Sequence, residues 1–108
     1  MAVKAQATRY FRVRGVKSDP KYGWALREAA KYGGPQALAL VPEPTNKYDP
    51  NAIRVVLFRN ERRFHVGYVP RDIAAQVQGR ATRIRVRSWQ LLFYSGKPAG
   101  LEVQYELV

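Results

Sequence analysis

The sequence contains no cysteine and only one histidine, His65. Without thiols the chain can form no disulfide and no zinc–thiolate site, and it has no cysteine nucleophile. The usual nitrogen and sulfur ligands of transition metals are therefore missing. Acidic residues are also few, and no cluster of carboxylates of the kind that holds Mg²⁺ is visible. We therefore expect no metal, no cofactor, no catalytic residues and no enzymatic activity.

Long apolar runs are also absent, so the sequence predicts neither a signal peptide nor a membrane span. The chain has 108 residues, of which 46% are hydrophobic and 25% charged, as in a folded protein of one domain. Residues 1–7 are polar and lack a pattern, so we expect a flexible N-terminus there. Residues 8–108 are expected to form a single domain, in a cytoplasmic protein that does not bind membranes.

Positive charge is what the chain has in excess. It carries 19 Lys and Arg against 8 Asp and Glu, which gives a net charge of +11. A domain this basic attracts polyanions, and nucleic acid is the commonest such partner. The alternative is a generally basic soluble protein with no such partner.

The pattern of apolar and polar residues predicts six strands and two short helices. The predicted strands cover residues 8–16, 36–41, 51–58, 63–69, 80–94 and 101–108. Asp19 and Pro20 offer a start for the first helix, although Gly23 favours a start at Trp24. The run Gly33-Gly34-Pro35 ends this helix after Tyr32. Pro70 opens the second helix, over residues 71–78. The predicted fold class is mainly β with two short helices (α+β), in a small, strongly bent sheet or barrel.

Two segments stand out from this framework. Residues 43–55 read E-P-T-N-K-Y-D-P-N-A-I-R-V, a polar loop that runs directly into an apolar strand. Its two prolines fix φ, while Asn46 and Asp49 are residues that fold back onto backbone N–H groups. Residues 66–71 read V-G-Y-V-P-R, a strand that ends at the start of a helix. The first segment therefore presents a carboxylate, an amide and a phenol at one end of a sheet.

Together these segments resemble the HIRAN domain, a family of small β-barrel modules. Its members are fused to DNA-remodelling ATPases and nucleases, or occur as short standalone bacterial proteins. The resemblance spans about residues 11–76. It implies a six-stranded OB-like β-barrel and binding of single-stranded DNA at 3′-hydroxyl ends, as in DNA repair. It also implies a DNA-processing ATPase or nuclease as a partner in trans.

The same resemblance implies a set of site residues. Tyr48 would stack on a base, and Asp49 with Asn46 would hydrogen-bond the terminal hydroxyl. Tyr68 would add a second stacking ring, and a basic side chain such as Arg71 would hold phosphate oxygens. Read locally instead, the loop residues only build a turn and pack over the end of the barrel. The predicted nucleic-acid-binding residues are Lys17, Asn46, Tyr48, Asp49, Tyr68 and Arg71.

The chain departs from the family pattern at Ser18. Members that bind DNA ends carry an aromatic residue at this point, directly after a basic one, and it forms the second face of a base sandwich. Here Lys17 keeps the charge, but serine cannot stack. Either Tyr22 or Trp24 replaces the missing ring, or the base is held on one face only. For Trp24, we favour a helix residue that packs on the barrel.

Further arginines are candidates for contacts with the phosphate backbone. Arg83, Arg85 and Arg87 share one face of the long predicted strand. Arg87 is expected to form an ion pair with Glu106 on the neighbouring strand. A solvated sheet edge is the equal alternative for these three. The candidate backbone contacts are Arg12, Arg14, Arg54, Arg83, Arg85 and Arg87.

Single-stranded DNA binding without sequence specificity is thus the predicted function, because phosphate contacts and stacking carry little sequence information. A protein- or RNA-binding adaptor with the same fold is the alternative. A small nuclease is a third.

Overall fold

Six strands and two helices follow one another along residues 8–108, the part of the chain that the computed structural model describes. None of these helices is long and apolar enough to cross a membrane. The predicted flexible N-terminus, residues 1–7, lies outside the described residues. The elements are β1 (Arg9–Arg12), α1 (Pro20–Ala30), β2 (Ala37–Pro42), β3 (Ile53–Arg59), β4 (Arg62–Tyr68), α2 (Arg71–Val77), β5 (Ile84–Tyr94) and β6 (Lys97–Leu107).

The first helix begins earlier than Trp24. The side chain of Asp19 accepts a hydrogen bond of 3.0 Å from the backbone N–H of Lys21, and Pro20 takes the first helical position. This cap outweighs the weak helix propensity of Gly23, which is buried inside the helix. Trp24 is largely exposed. The expectation that Trp24 packs on the barrel is therefore wrong.

The strands form two antiparallel sheets of three strands each, in the orders β1-β6-β5 and β2-β3-β4. A single bridge joins the sheets: Arg14 and Tyr68 exchange two backbone hydrogen bonds, of 2.8 and 2.9 Å. Within residues 8–108, no pairing between β2 and β5 closes the sheets into a barrel. The prediction of a mainly β fold with two helices is confirmed, whereas the six-stranded OB-like barrel is not.

The bridge between the sheets depends on Gly67. Its φ is +145°, and a Cβ added there would lie 2.2 Å from the carbonyl oxygen of Arg14 and 2.7 Å from Val13 Cγ1. No side chain fits at that distance, so only glycine lets β4 come this close to the chain after β1. Gly67 thereby brings the basic segment around Arg14 to the end of β4, where the predicted site begins.

One apolar core lies between the sheets and α1. The alternation predicted for the last strand is confirmed, because Leu101, Val103 and Tyr105 are all buried. From α1, Leu26 and Ala29 are fully buried in the same cluster. Leu57 of β3 is fully buried in this cluster as well. The core therefore fixes β3, β4 and β6, and the polar loops that project from their ends.

Candidate nucleic-acid interface

Asn46 organises the loop between β2 and β3. Its Oδ1 accepts hydrogen bonds from the backbone N–H groups of Tyr48 (2.9 Å) and Asp49 (3.0 Å). Its Nδ2 donates to Glu43 Oε1 at 2.7 Å. Both ends of the amide are therefore engaged within the loop, as expected of a turn residue. In this arrangement Asn46 positions its two neighbours.

Those neighbours face the surface in different ways. The Tyr48 ring is 87% exposed, whereas only 16% of the Asp49 side chain is. Asp49 Oδ1 accepts a hydrogen bond of 2.9 Å from the backbone N–H of Asn51. Asp49 Oδ2 lies 3.5 Å from Arg71 Nε. The loop thus presents an open aromatic face beside a carboxylate that keeps one oxygen towards an arginine.

Arg71 is the first residue of α2 and reaches back to the loop. Its Nη2 donates a hydrogen bond of 2.8 Å to the carbonyl oxygen of Tyr48. Its side chain is nevertheless mostly exposed. Exposed ion pairs contribute only about 0–1 kcal/mol, so the guanidinium can exchange its contact with Asp49 for a bound phosphate at little cost.

A cleft of about 760 Å³ lies between this loop and α2, and we call it the loop cleft. Five of the six predicted site residues line it, all except Lys17. Arg14, one of the predicted backbone contacts, also lines it because the bridge to Tyr68 brings it there. The full lining is Arg14, Asn46, Tyr48, Asp49, Ala52, Tyr68, Val69, Pro70, Arg71, Asp72 and Ala75.

The sequence reasoning missed the role of Glu43. Its Oε1 accepts hydrogen bonds from Asn46 and from the hydroxyl of Tyr68 (3.1 Å), and its Oε2 is paired with Arg54 Nε. The hydrogen bond from Arg54, followed by that from Asn46, holds the pKa of Glu43 below its usual range. Glu43 therefore ties the loop to both β3 and β4. The only signal for this role was its place as the first residue of the loop motif.

Tyr68 lines the loop cleft as part of a group of packed aromatic rings. It lies edge-on to Tyr22, with ring centroids 6.0 Å apart, and to His65 at 5.0 Å. Burial is the main cause that raises the pKa of Tyr68 above its usual range. Burial also lowers the pKa of His65, whose Nε2 lies 2.9 Å from the carbonyl oxygen of Gly67. These contacts make Tyr68 a wall of the cleft, and its stacking role stays a prediction.

Neither ring suggested as a substitute for the aromatic missing at Ser18 lines the cleft. Tyr22 is buried against His65. Trp24 is exposed, but it is not among the residues that line the loop cleft. Of the two options, the structure does not support the replacement by Tyr22 or Trp24, and a base held on one face by Tyr48 stays a prediction.

The predicted backbone contacts fall into two groups. Glu106 lies 3.8 Å from Arg85 and 3.5 Å from Arg87, so the predicted pair with Arg87 is present and Arg85 shares it. Arg54 is paired with Glu43. By contrast, the side chains of Arg12, Arg14 and Arg83 form no ion pair with any described residue, and neither does that of the predicted site residue Lys17. Arg12, Arg14 and Lys17 lie together on the wall of a second groove.

Within residues 8–108, no group of three or more His, Asp or Glu side chains is arranged to hold a metal ion. The carboxylates of Asp49 and Asp72 both line the loop cleft. Asp72 lies in the first turn of α2, where a negative charge interacts favourably with the helix dipole.

Comparison with known protein families identifies the domain. The family model of the HIRAN domain matches residues 2–90 of the 108-residue chain. The match contains the whole of the loop cleft and extends into β5. No curated protein and no solved structure matches the chain.

Proposed function

Since the chain belongs to the HIRAN domain family, a family of DNA-binding modules, we propose that it binds single-stranded DNA at a free 3′-hydroxyl end, without sequence specificity. One observation carries the proposal. In the loop cleft, an exposed Tyr48 ring, the Asp49 carboxylate and the Arg71 guanidinium lie together.

The Asp49 carboxylate is the reason why we propose that the loop cleft binds the end of a DNA strand and not its middle. Asp49 Oδ1 is already bonded to the backbone of Asn51, so Oδ2 is the oxygen available to a ligand. A carboxylate repels a phosphate and accepts a hydrogen bond from a hydroxyl. A 3′-hydroxyl satisfies Oδ2, whereas a phosphate in the same place would stand against a negative charge.

The neighbouring groups supply the rest of the site. The exposed face of Tyr48 stacks on the terminal base, and base–aromatic stacking is worth about 1–3 kcal/mol. Arg71 turns from Asp49 to the phosphate that precedes the terminal nucleotide, where its fork can make two hydrogen bonds. Asn46 holds Tyr48 and Asp49 in place through their backbone N–H groups.

Two features support binding without sequence specificity. Stacking accepts every base, and arginine–phosphate contacts do not depend on the base. The net charge of +11 adds long-range attraction to any nucleic acid.

The test compares two oligonucleotides of one sequence, one with a 3′-hydroxyl and one with a 3′-phosphate. We expect the hydroxyl end to bind roughly ten- to a hundredfold more tightly, because a hydrogen bond to a charged group contributes about 1.5–3 kcal/mol. Asp49→Asn should remove most of that difference, since the amide keeps an acceptor for Asn51 but loses the charge. Glu61→Gln, in the exposed turn between β3 and β4, makes the same charge change outside the cleft and should preserve the difference.

Equal affinity of the wild-type protein for the two ends would refute the proposal. The RNA- or protein-binding adaptor predicts a different pattern. For either kind of adaptor, Asp49→Asn should leave the affinity unchanged. An RNA-binding adaptor should prefer an RNA oligonucleotide of the same sequence, and a protein-binding adaptor should bind neither DNA oligonucleotide.

A further inference from the structure

A second groove of about 740 Å³ adjoins the loop cleft. One wall is the end of β1 with the segment that follows it, and the other is formed by the end of β5 and the facing part of β6. We call it the hairpin groove. Its first wall carries Arg12, Arg14 and Lys17, and its second carries Leu92, Phe93 and Tyr94.

The charge of the hairpin groove is of one sign. None of the described residues that line it is acidic. Its three cations have no carboxylate partner among residues 8–108, unlike Arg85 and Arg87 on the other half of β5. Unpaired cations along one wall suit a chain of phosphates, because each phosphate that they neutralise releases counterions.

The opposite wall supplies aromatic rings. Phe93 is 61% exposed and Tyr94 is 78% exposed. Both lie at the end of β5, directly before a tight turn in which Ser95 and Gly96 have φ of 51° and 76°. This turn pairs Tyr94 with Lys97 and holds the end of the strand in place. A basic wall that faces fixed, exposed rings is the arrangement that binds single strands by backbone contact and stacking.

The two sites are continuous through Arg14. Arg14 lines both the loop cleft and the hairpin groove. The path continues on the far side as well, because Phe93 also lines a further basic hollow with Arg27, Lys31 and Lys97.

From this continuity we infer that the hairpin groove binds the 5′ continuation of the strand whose 3′ end lies in the loop cleft. The inference rests on the proposed function, which sets where the strand ends. Arg14 bridges the two sites, Lys17 and Arg12 hold successive phosphates, and Tyr94 stacks on a base several nucleotides from the end. This places Lys17 in the extension of the site, and separates it from the five predicted residues at the end itself.

The test uses two oligonucleotides with the same free 3′-hydroxyl, extended only on the 5′ side. The short one has about three nucleotides, and the long one about eight, within the ~4–16 that small single-strand-binding domains cover. Fluorescence anisotropy measures their affinities for the wild-type protein, Tyr94→Ala, Lys17→Gln and Trp24→Ala. Trp24 is the matched control, an exposed aromatic residue that lines neither site.

We expect the long oligonucleotide to bind more tightly than the short one. Tyr94→Ala should weaken only the long one, by roughly five- to a hundredfold, which corresponds to one lost stacking contact. Lys17→Gln should lower the salt dependence for the long oligonucleotide by about 0.7 in the log–log slope, as for one phosphate of a single strand. Trp24→Ala should change neither affinity.

Two results would overturn the inference while the end-binding proposal survives. One is equal affinity for the long and short oligonucleotides, together with a kept preference for the 3′-hydroxyl over the 3′-phosphate. The other is a gain with length that Tyr94→Ala and Lys17→Gln leave intact. Loss of the 3′-hydroxyl preference in the short oligonucleotide would instead refute the proposed function itself.

Discussion

Replacing Glu43 by glutamine should weaken the hydrogen bonds that attach the β2–β3 loop to β3 and β4. The substitution keeps the shape of the side chain, but one of its two acceptor oxygens becomes an NH₂ group. The carboxylate now serves three donors, from Asn46 and Tyr68 on Oε1 and from Arg54 on Oε2. In the variant, the NH₂ group faces either the Arg54 guanidinium or the donors of Asn46 and Tyr68. At least one hydrogen bond is then lost, because two donors face each other without an acceptor.

The expected cost follows from those contacts. A hydrogen bond to a charged group contributes about 1.5–3 kcal/mol, and an exposed ion pair such as that with Arg54 contributes about 0–1 kcal/mol. The Glu43 side chain is 14% exposed, so water replaces part of what is lost. We therefore expect Glu43→Gln to lower the free energy of unfolding by about 2 kcal/mol.

Urea denaturation measures this change. With a slope of about 1–3 kcal/mol per molar for a small protein, the midpoint should fall by roughly 1 M. Glu61→Gln is the control, since it removes the same charge from an exposed turn and should shift stability by less than about 0.5 kcal/mol. A Glu43→Gln variant as stable as Glu61→Gln would contradict the assigned role. A destabilised Glu43→Gln variant that keeps its preference for 3′-hydroxyl ends would also contradict the assigned role. Asn46 would then hold Tyr48 and Asp49 in place without Glu43.

Three further predictions follow from the fold, the titrating groups and the charge. Gly67→Ala should cost more than about 3 kcal/mol or abolish folding, because its Cβ would lie 2.2 Å from the Arg14 carbonyl oxygen. Gly79→Ala, where a Cβ has no neighbour within 4 Å, should cost only about 1 kcal/mol for its positive φ in the same thermal-unfolding assay. Burial lowers the pKa of His65, so its neutral form is favoured in the folded state. Stability should therefore fall as pH drops below about 6.5 and through the lower folded pKa, and His65→Gln should flatten that part of the stability–pH curve. Affinity for single-stranded DNA should decrease linearly in log–log form with salt, by about 0.7 per phosphate neutralised, and a flat response would exclude nucleic acid as the partner.

Local signals predicted most of the elements, and their errors have local causes. Between β5 and β6, the predicted strands 80–94 and 101–108 leave residues 95–100 as the connection, yet only Ser95 and Gly96 form it. Both have positive φ, which makes a two-residue turn and leaves Pro98 within the strand. The start of α1 at Pro20 was also signalled by its cap, but the propensity of Gly23 was given too much weight.

Local sequence signals could not predict which strands pair with each other in the two sheets. β1 pairs with β6, from the other end of the chain, and the one backbone bridge between the sheets in residues 8–108 is that of Arg14 with Tyr68. Pairing of this kind depends on which strands bury which faces together, and alternation along one strand does not encode its partner. For the same reason the loop residues 46–49 could be predicted as a unit, whereas the link from Glu43 to Arg54 and Tyr68 could not.

The positive net charge does not account for the two acids that line the loop cleft, Asp49 and Asp72, of which Asp49 lies beside Arg71. A net charge of +11 attracts every phosphate along a strand about equally, and so favours the middle of a strand as much as its end. Asp49 opposes that general attraction at one point, where a phosphate costs energy and a hydroxyl does not. In the proposed function, affinity therefore comes from the cations of the loop cleft and the hairpin groove, and selectivity comes from the Asp49 carboxylate. It follows that Asp49→Asn should raise affinity for the 3′-phosphate end while lowering it for the 3′-hydroxyl end, and a variant that weakens both ends equally would show that Asp49 only shapes the loop.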